Sequence, residues 1–437
     1  KVISGLFALG LVLGAAGCGG GSDDDADTGS TNADTGSVDT GSVDTGSVDT
    51  GSVDTGTTDT GTEDGDATAC PEPEEIDSDV TEETTWSGEP GCLDYRLVSA
   101  IDVEAVLTVE PGVRVEVEQG NFLDVQEGGA ITAEGTEEEP IVFAGTEETA
   151  GFWRGIGVRS ETTDNVFDYV EIRDAGRQWG GDETSKTAVY ISYGSLRVTN
   201  STFRNNAHYA LQIRSSEGSI EGFANNTFEN NGTPMWLHQE HVGSLAGTST
   251  FSGNENPAIQ VTFSHLDELT SKATWKAFEI PYRLMTTTSI QADVTLEAGT
   301  TVEVTQNSRI KIESGGSFNA AGTADSPVTI RGSEALAGHW KGLAFRTSST
   351  DNKLTHTEVL HGGASDWTGD TDHTSAAAIF ISDNGTVDLD QATIKKSGHH
   401  GVYILNGRII SCEGTMFEEI PGDNVYNTDD ESASCGL

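Results

Sequence analysis

From about residue 95 onward, apolar and polar residues alternate in short bursts. Val113, Val115 and Val117 alternate, as do Val302 with Val304 and Ile310 with Ile312, and Gly, Asn and Asp divide one burst from the next. A period of two puts successive side chains on opposite faces of a strand. No segment of ten or more residues holds a helical period. The pattern therefore predicts an all-β fold made of many short strands.

The bursts recur. Tyr95-Arg96-Leu97 returns as Tyr282-Arg283-Leu284, and Leu107-Thr108-Val109-Glu110-Pro111-Gly112 returns as Val294-Thr295-Leu296-Glu297-Ala298-Gly299. Gly135-Thr136 with Pro140-Ile141 matches Gly322-Thr323 with Pro327-Val328, and Gly151-Phe152-Trp153-Arg154-Gly155 matches Gly338-His339-Trp340-Lys341-Gly342. All four pairs share an offset of 187, as from Tyr95 to Tyr282. The chain thus holds two homologous halves, expected at 95–270 and 271–437, with a cap region over 70–94 and a second cap at the C-terminal end.

A shorter period runs inside each half. Phe203, Phe228 and Phe251, and later Ile394 and Phe417, stand 23 to 25 residues apart, and a second apolar position follows each at Ile213, Leu237, Val261 and Ile404. A period of this size marks a solenoid, and about 23 residues make three short strands and three turns. The expected fold is a parallel β-helix whose equivalent apolar residues stack into interior ladders. On the Leu107–Gly112 opening, the Glu134-Gly135-Thr136 segment with Pro140, the Trp153-Arg154-Gly155 turn and the Asn-rich coils, residues 95 to 430 resemble bacterial surface and secreted proteins with right-handed parallel β-helix repeats, in the pectate-lyase-like superfamily. That resemblance implies a right-handed solenoid. It implies little about activity, because this architecture carries lyases, hydrolases, adhesins and binding proteins alike.

The first residues read differently. Lys1, an apolar run from Val2 to Leu13 and a small-residue stretch up to Gly17 form an export signal over 1–17, too short to span a bilayer. The Ala15-Ala16-Gly17-Cys18 sequence resembles a bacterial lipobox, which implies a lipid on Cys18 and a membrane contact made through that anchor alone. The expected location is the cell envelope, at the outer membrane or cell surface. Residues 18–69 repeat Ser-Val-Asp-Thr-Gly and carry thirteen acids and no base. Such a segment cannot bury enough apolar surface to fold, so a disordered tether is expected, with ends roughly 40 Å apart as a flexible coil.

An exported chain meets oxidising conditions, so the remaining four cysteines are expected as the local disulfides Cys70–Cys92 and Cys412–Cys435 rather than as zinc ligands, since neither pair has C-x-x-C spacing. The net charge is -48. Of the 71 acids, 58 lie in residues 70–437 against 22 bases, which leaves that region at -36. Such a surface repels nucleic acid and anionic headgroups, and suits loosely held Ca²⁺ at most. No cofactor and no metal site are expected.

Candidate chemistry is thin. Polygalacturonase-like hydrolases use Asn-Thr-Asp, Asp-Asp, Gly-His-Gly and Arg-Ile-Lys in that order. Here Asn427-Thr428-Asp429, Asp429-Asp430, Gly398-His399-His400-Gly401 and Arg309-Ile310-Lys311 appear in reverse order, with Arg309 nearly four coils before His400. No catalytic residues are assigned on that basis. His238-Gln239-Glu240-His241 is read as a solvated strand end rather than a metal motif. Two excursions interrupt the coils at matching places, Trp179-Gly180-Gly181-Asp182 and Trp367-Thr368-Gly369-Asp370. Trp beside Asp suits stacking on a sugar ring with hydrogen bonds to its hydroxyls, so Trp179, Asp182, Trp367 and Asp370 are the candidate ligand contacts. The competing use is a Trp folded back over the solenoid flank with the Asp capping a turn. The expected function is a non-catalytic surface scaffold that recognises polysaccharide or another envelope component, with a polysaccharide lyase or glycoside hydrolase of the same fold as the alternative.

Overall fold

The computed structural model describes residues 69–179, 186–246, 248–262, 268–368, 374–428 and 435. The signal segment with Cys18, the tether up to residue 68, Asp182, Asp370, Asp429 and Asp430 lie outside the described residues.

The alternating bursts form 39 strands among the described residues, collected into five sheets. Sheet I has eight strands, sheet II thirteen, and sheets III, IV and V six each. Neighbours within a sheet run parallel, one coil apart in sequence. A coil of the first half visits sheets I, II and III in turn: Ile141–Gly145, Gly155–Val158 and Val166–Asp168, before Val170–Arg173 returns to sheet I. The first strands, Glu74–Ile76 and Thr84–Trp86, lie in the cap region and form the end strands of sheets I and III.

Parallel register stacks like on like, which builds the ladders. Tyr95, Val115, Phe143, Ile172, Phe203, Phe228 and Phe251 follow one another across sheet I, all buried. Strands spaced about 4.8 Å apart impose that spacing on their rings. Phe203 and Phe228 stack at 4.9 Å, and Phe228 and Phe251 at 5.2 Å. In sheet II, Ile191, Ile213, Leu237, Val261 and Leu284 form a second interior ladder. Trp153 and Trp340 are fully buried, and each indole N–H donates to a backbone carbonyl at 2.8 Å, that of Arg173 or of Leu360.

Corners between sheets are tight and left-handed. Asn200, Asn205, Asn225 and Asn230 all have positive φ, a conformation Asn tolerates better than most residues. Behind them runs a buried amide ladder. Asn206 Nδ2 donates to Asn231 Oδ1 at 2.9 Å, and Asn231 Nδ2 donates to Asn254 Oδ1 at 3.0 Å. In the second half the same corners hold His356, His361, Gln391, Lys396 and Glu419, again at positive φ.

The two halves do not continue the same sheets. Tyr95–Leu97 belongs to sheet I, but its equivalent Tyr282–Leu284 pairs with Ile259–Thr262 in sheet II. Strands equivalent to those of sheets I, II and III therefore fall in sheets II, V and IV. Among the described residues only sheet II runs through the junction; the last named strand of sheet I is Thr250–Ser252 and that of sheet III is Ser219–Ala224. The second half is set round the axis by one side of the coil.

The His238–His241 segment differs from its expectation as a solvated strand end. His238 ends the strand Thr233–His238 and caps a 3-10 helix, Gln239–Ser244, accepting from Glu240 N–H at 3.4 Å. His238, Gln239 and His241 are all buried, because this helix tucks its apolar Val242 into the core at the junction. At the two ends Cys70 is bonded to Cys92 and Cys412 to Cys435.

Candidate functional site

On sheet II of the first half, interior Leu123 and Val125 alternate with Phe122 and Asp124 on the outer face. The next strand, Gly155–Val158, places Gly157 opposite Asp124, and Tyr190 follows on the strand after it. The coil between Val170–Arg173 and Thr187–Ile191 carries Trp179 back onto this face. Its indole N–H donates to the Thr187 carbonyl at 3.2 Å, and its ring lies 5.2 Å from that of Phe122. The tryptophan is half-buried against the flank and does not project from it.

Gly157 makes the space for this. A Cβ there would stand 2.2 Å from Asp124 Oδ1 and 3.1 Å from Trp179 Cη2. Asp124, 5 % exposed, accepts from Arg159 Nε at 2.9 Å and from Gln126 Nε2 at 3.1 Å, while Gln126 also donates to Asp102 Oδ1 at 3.0 Å. Burial raises the Asp124 carboxyl above the ordinary carboxylate range, against the lowering effect of Arg159. The Arg154 guanidinium lies over Phe122 at 5.2 Å. A cleft of about 960 Å³ opens beside the cluster, lined by Gln126, Arg159, Glu161, Tyr193 and Glu217. Further along the same face Tyr209 and Trp236 lie 5.0 Å apart, with Arg214 over the Trp236 ring at 5.1 Å.

The second half repeats the design with other residues. Trp367 donates its indole N–H to the Ala377 carbonyl, the first residue of its strand as Thr187 is of its own, at 3.5 Å. The ring stacks on Phe380 at 5.1 Å and 8°. Phe380 leads along the outer face of sheet V to Tyr403 at 5.9 Å and Tyr426 at 5.1 Å further. These rings with Ala344 and Ala377 form an apolar cluster outside the main core. Arg309 lies over Trp367 at 4.7 Å. Because the halves are set round by one side, Trp179 covers sheet II and Trp367 covers sheet V. The two tryptophans face different sides of the solenoid.

The described members of the hydrolase-like motifs gather on sheet V without converging. Arg309 and Lys311 lie on Arg309–Ile312, three strands from His400 on His400–Ile404. The sequence distance suggested nearly four coils; the Trp367 excursion lengthens one of them. Three strand spacings are roughly 14 Å, too far for both groups to act on one glycosidic bond. His400 Nδ1 instead accepts from Asp423 N–H at 3.0 Å, and burial with His399 beside it lowers its basicity. Asn427 ends the strand Val425–Asn427 on the same sheet. Among the described residues, no three or more His, Cys, Asp or Glu side chains are placed to hold a metal ion, and no helix is long and apolar enough to cross a membrane.

The sequence reading found both tryptophans but missed their neighbours Phe122, Asp124, Gly157, Arg159 and Phe380. The available signal was the outward parity of the strands, read together with the offset of 187. Residues 79–211 match a family model described as a pectate-lyase-like beta helix domain, and residues 152–359 match one described as a right-handed beta helix region. A comparison with curated proteins gives no match. The matched segments overlap and run through both halves of the parallel solenoid, so residues 79–359 form a right-handed, pectate-lyase-like β-helix region.

Proposed function

We propose that this β-helix binds polysaccharide at the cell envelope through the outer faces around Trp179 and Trp367. One observation carries the reading: each half lays an indole against the outside of the equivalent sheet, bonded to the equivalent carbonyl, beside charged side chains that point outward. A rigid aromatic surface flanked by polar groups is the chemistry that holds a sugar ring. A lipid on Cys18 would anchor the chain at the outer membrane or cell surface, and the acidic tether would supply reach. Nucleic acid is a poor ligand for so acidic a surface, and Ca²⁺ would be held loosely at most.

The test is binding of the chain to an array of purified polysaccharides, with Trp179→Ala and Trp367→Ala alone and together, alongside an assay for chain cleavage. Loss of binding on removing both indoles is expected. Binding unchanged in the double variant would sink the proposal.

A second reading, a polysaccharide-cleaving enzyme, has one observation in its favour: the Asp102–Gln126–Asp124–Arg159 cluster beside the cleft, which joins carboxylates to a base in one groove. Product release that disappears in Asp124→Asn would establish it over the binding role.

A further inference from the structure

We infer that the duplicated site has diverged in charge, so that the face around Trp367 takes a glycan carrying carboxylate or phosphate groups and the face around Trp179 does not. The inference rests on the glycan-binding reading and names the ligand class of one of its two faces.

Four outward positions carry the comparison. Phe122, Asp124, Arg154 and Arg159 in the first half correspond to Arg309, Lys311, Lys341 and Arg346 in the second. An aromatic ring and a carboxylate have become two cations, and the other two positions stay basic. The exchange is sterically coherent. Gly157, which leaves room for the Asp124 carboxylate, corresponds to Ala344, and Lys311 faces that alanine in register.

The second-half cations are not all neutralised. Lys311 and Arg346 share Glu313 at 3.3 and 3.5 Å, and Arg346 also meets Asp383 at 3.1 Å. Arg309 and Lys341 have no carboxylate within ion-pair distance among the described residues. Elsewhere among the described residues some cations are ion-paired and others, Arg154 and Arg177 of the first half among them, are not. Arg96 has Glu116, Arg204 has Glu171, Lys276 has Glu297, and Arg283 and Arg331 share Glu303. Arg309 and Lys341 are neighbours, with Arg346 close enough to act on Arg309, so positive charge is concentrated on this face. Burial first, then Arg346, lowers Arg309; burial first, then Arg309, lowers Lys341. An anion arriving between them would relieve that repulsion. Arg309 lies on the Trp367 ring, so a sugar meeting the indole would bring its acidic substituent within reach of the guanidinium, which grips carboxylate and phosphate oxygens in pairs.

The test titrates the full chain with a neutral cello-oligosaccharide, a carboxylated mannuronate oligomer and a phosphorylated mannan oligosaccharide, at low and high NaCl. At least one anionic probe should bind, and its affinity should fall at least tenfold in Arg309→Gln with Lys341→Gln and also fall with salt. It should persist in Trp179→Ala. Which anionic probe binds distinguishes carboxylate from phosphate. Lys341→Gln alone, at a partly exposed position, keeps the test valid if the double variant melts early. Anionic binding that survives the double variant, or that is lost in Trp179→Ala, would overturn the inference. Binding of the neutral probe with neither anionic one overturns it while leaving the glycan-binding reading intact. Silence from all three sinks both.

Discussion

Replacing Gly157 by alanine tests the geometry of the first-half site. Gly157 does not have positive φ, so its backbone accepts a side chain, and Gly→Ala at such a position ordinarily stabilises by about 0.4–1 kcal/mol through the unfolded chain. Here the new Cβ would stand 2.2 Å from Asp124 Oδ1. The carboxylate would have to move by more than 1 Å, roughly the shortfall from van der Waals contact, and leave Arg159 and Gln126 while still largely buried. Breaking a buried pair costs about 3–5 kcal/mol. Arg159 is 39 % exposed and can turn to water, so the lower end applies. The net expectation for Gly157→Ala is a loss of about 2 kcal/mol. In an Asp124→Ala background the carboxylate is gone, and Trp179 Cη2, at 3.1 Å from the same Cβ, has to give by only a few tenths of an ångström. There the substitution should cost close to nothing. Urea unfolding of the four proteins gives the coupling, expected at about 2 kcal/mol against an additivity error of about 0.5 kcal/mol. Equal costs in both backgrounds would refute the reasoning, because the carboxylate would then not occupy that space. The second half already holds the compatible pair, Lys311 with Ala344.

Two further outcomes follow from the interior. Asn231 accepts from Asn206 N–H and Nδ2 and donates to the Phe203 carbonyl and Asn254 Oδ1, at 2 % exposure. Asn231→Ala leaves at least three buried polar groups short of a bond, so a loss of about 3–6 kcal/mol is expected by urea unfolding; a loss under 1 kcal/mol would contradict it. His400 is held neutral because burial lowers its basicity below that of the unfolded chain. Its stabilisation is present above about pH 6.5 and lost as pH falls through the lower folded value. The melting temperature should fall between pH 7.5 and 5, and fall less in His400→Gln; parallel slopes in the two proteins would refute the assignment.

Much of the fold was legible because a solenoid is nearly one-dimensional: each coil packs on the next, so period in sequence becomes distance in space. The Phe203–Phe228–Phe251 ladder could be read from spacing alone, and register bears it out. The buried Trp153 and Trp340 were legible from their repeated context. The corners were readable at Asn200 and Asn225, where the residue advertises a left-handed turn. They were not readable at Gln391, Lys396 or Glu419, whose types favour no such conformation. The His238–His241 segment misled because polar residues at a strand end usually meet water, and here the junction buries them.

By itself, then, the sequence determined an all-β solenoid of two homologous halves, its interior ladders and the place where one coil of each half breaks for a tryptophan. All of these depend on local alternation and on a repeat length, which the chain carries explicitly. Only the tertiary structure decided that the second half is set round by one side, that Trp179 and Trp367 fold onto different faces, and which outward residues gather beside them. Those outcomes depend on how one crossing coil at the junction passes through Ile259–Thr262 and Ala273–Trp275 to Tyr282–Leu284, and a phase is a sum over a whole turn that no single residue records.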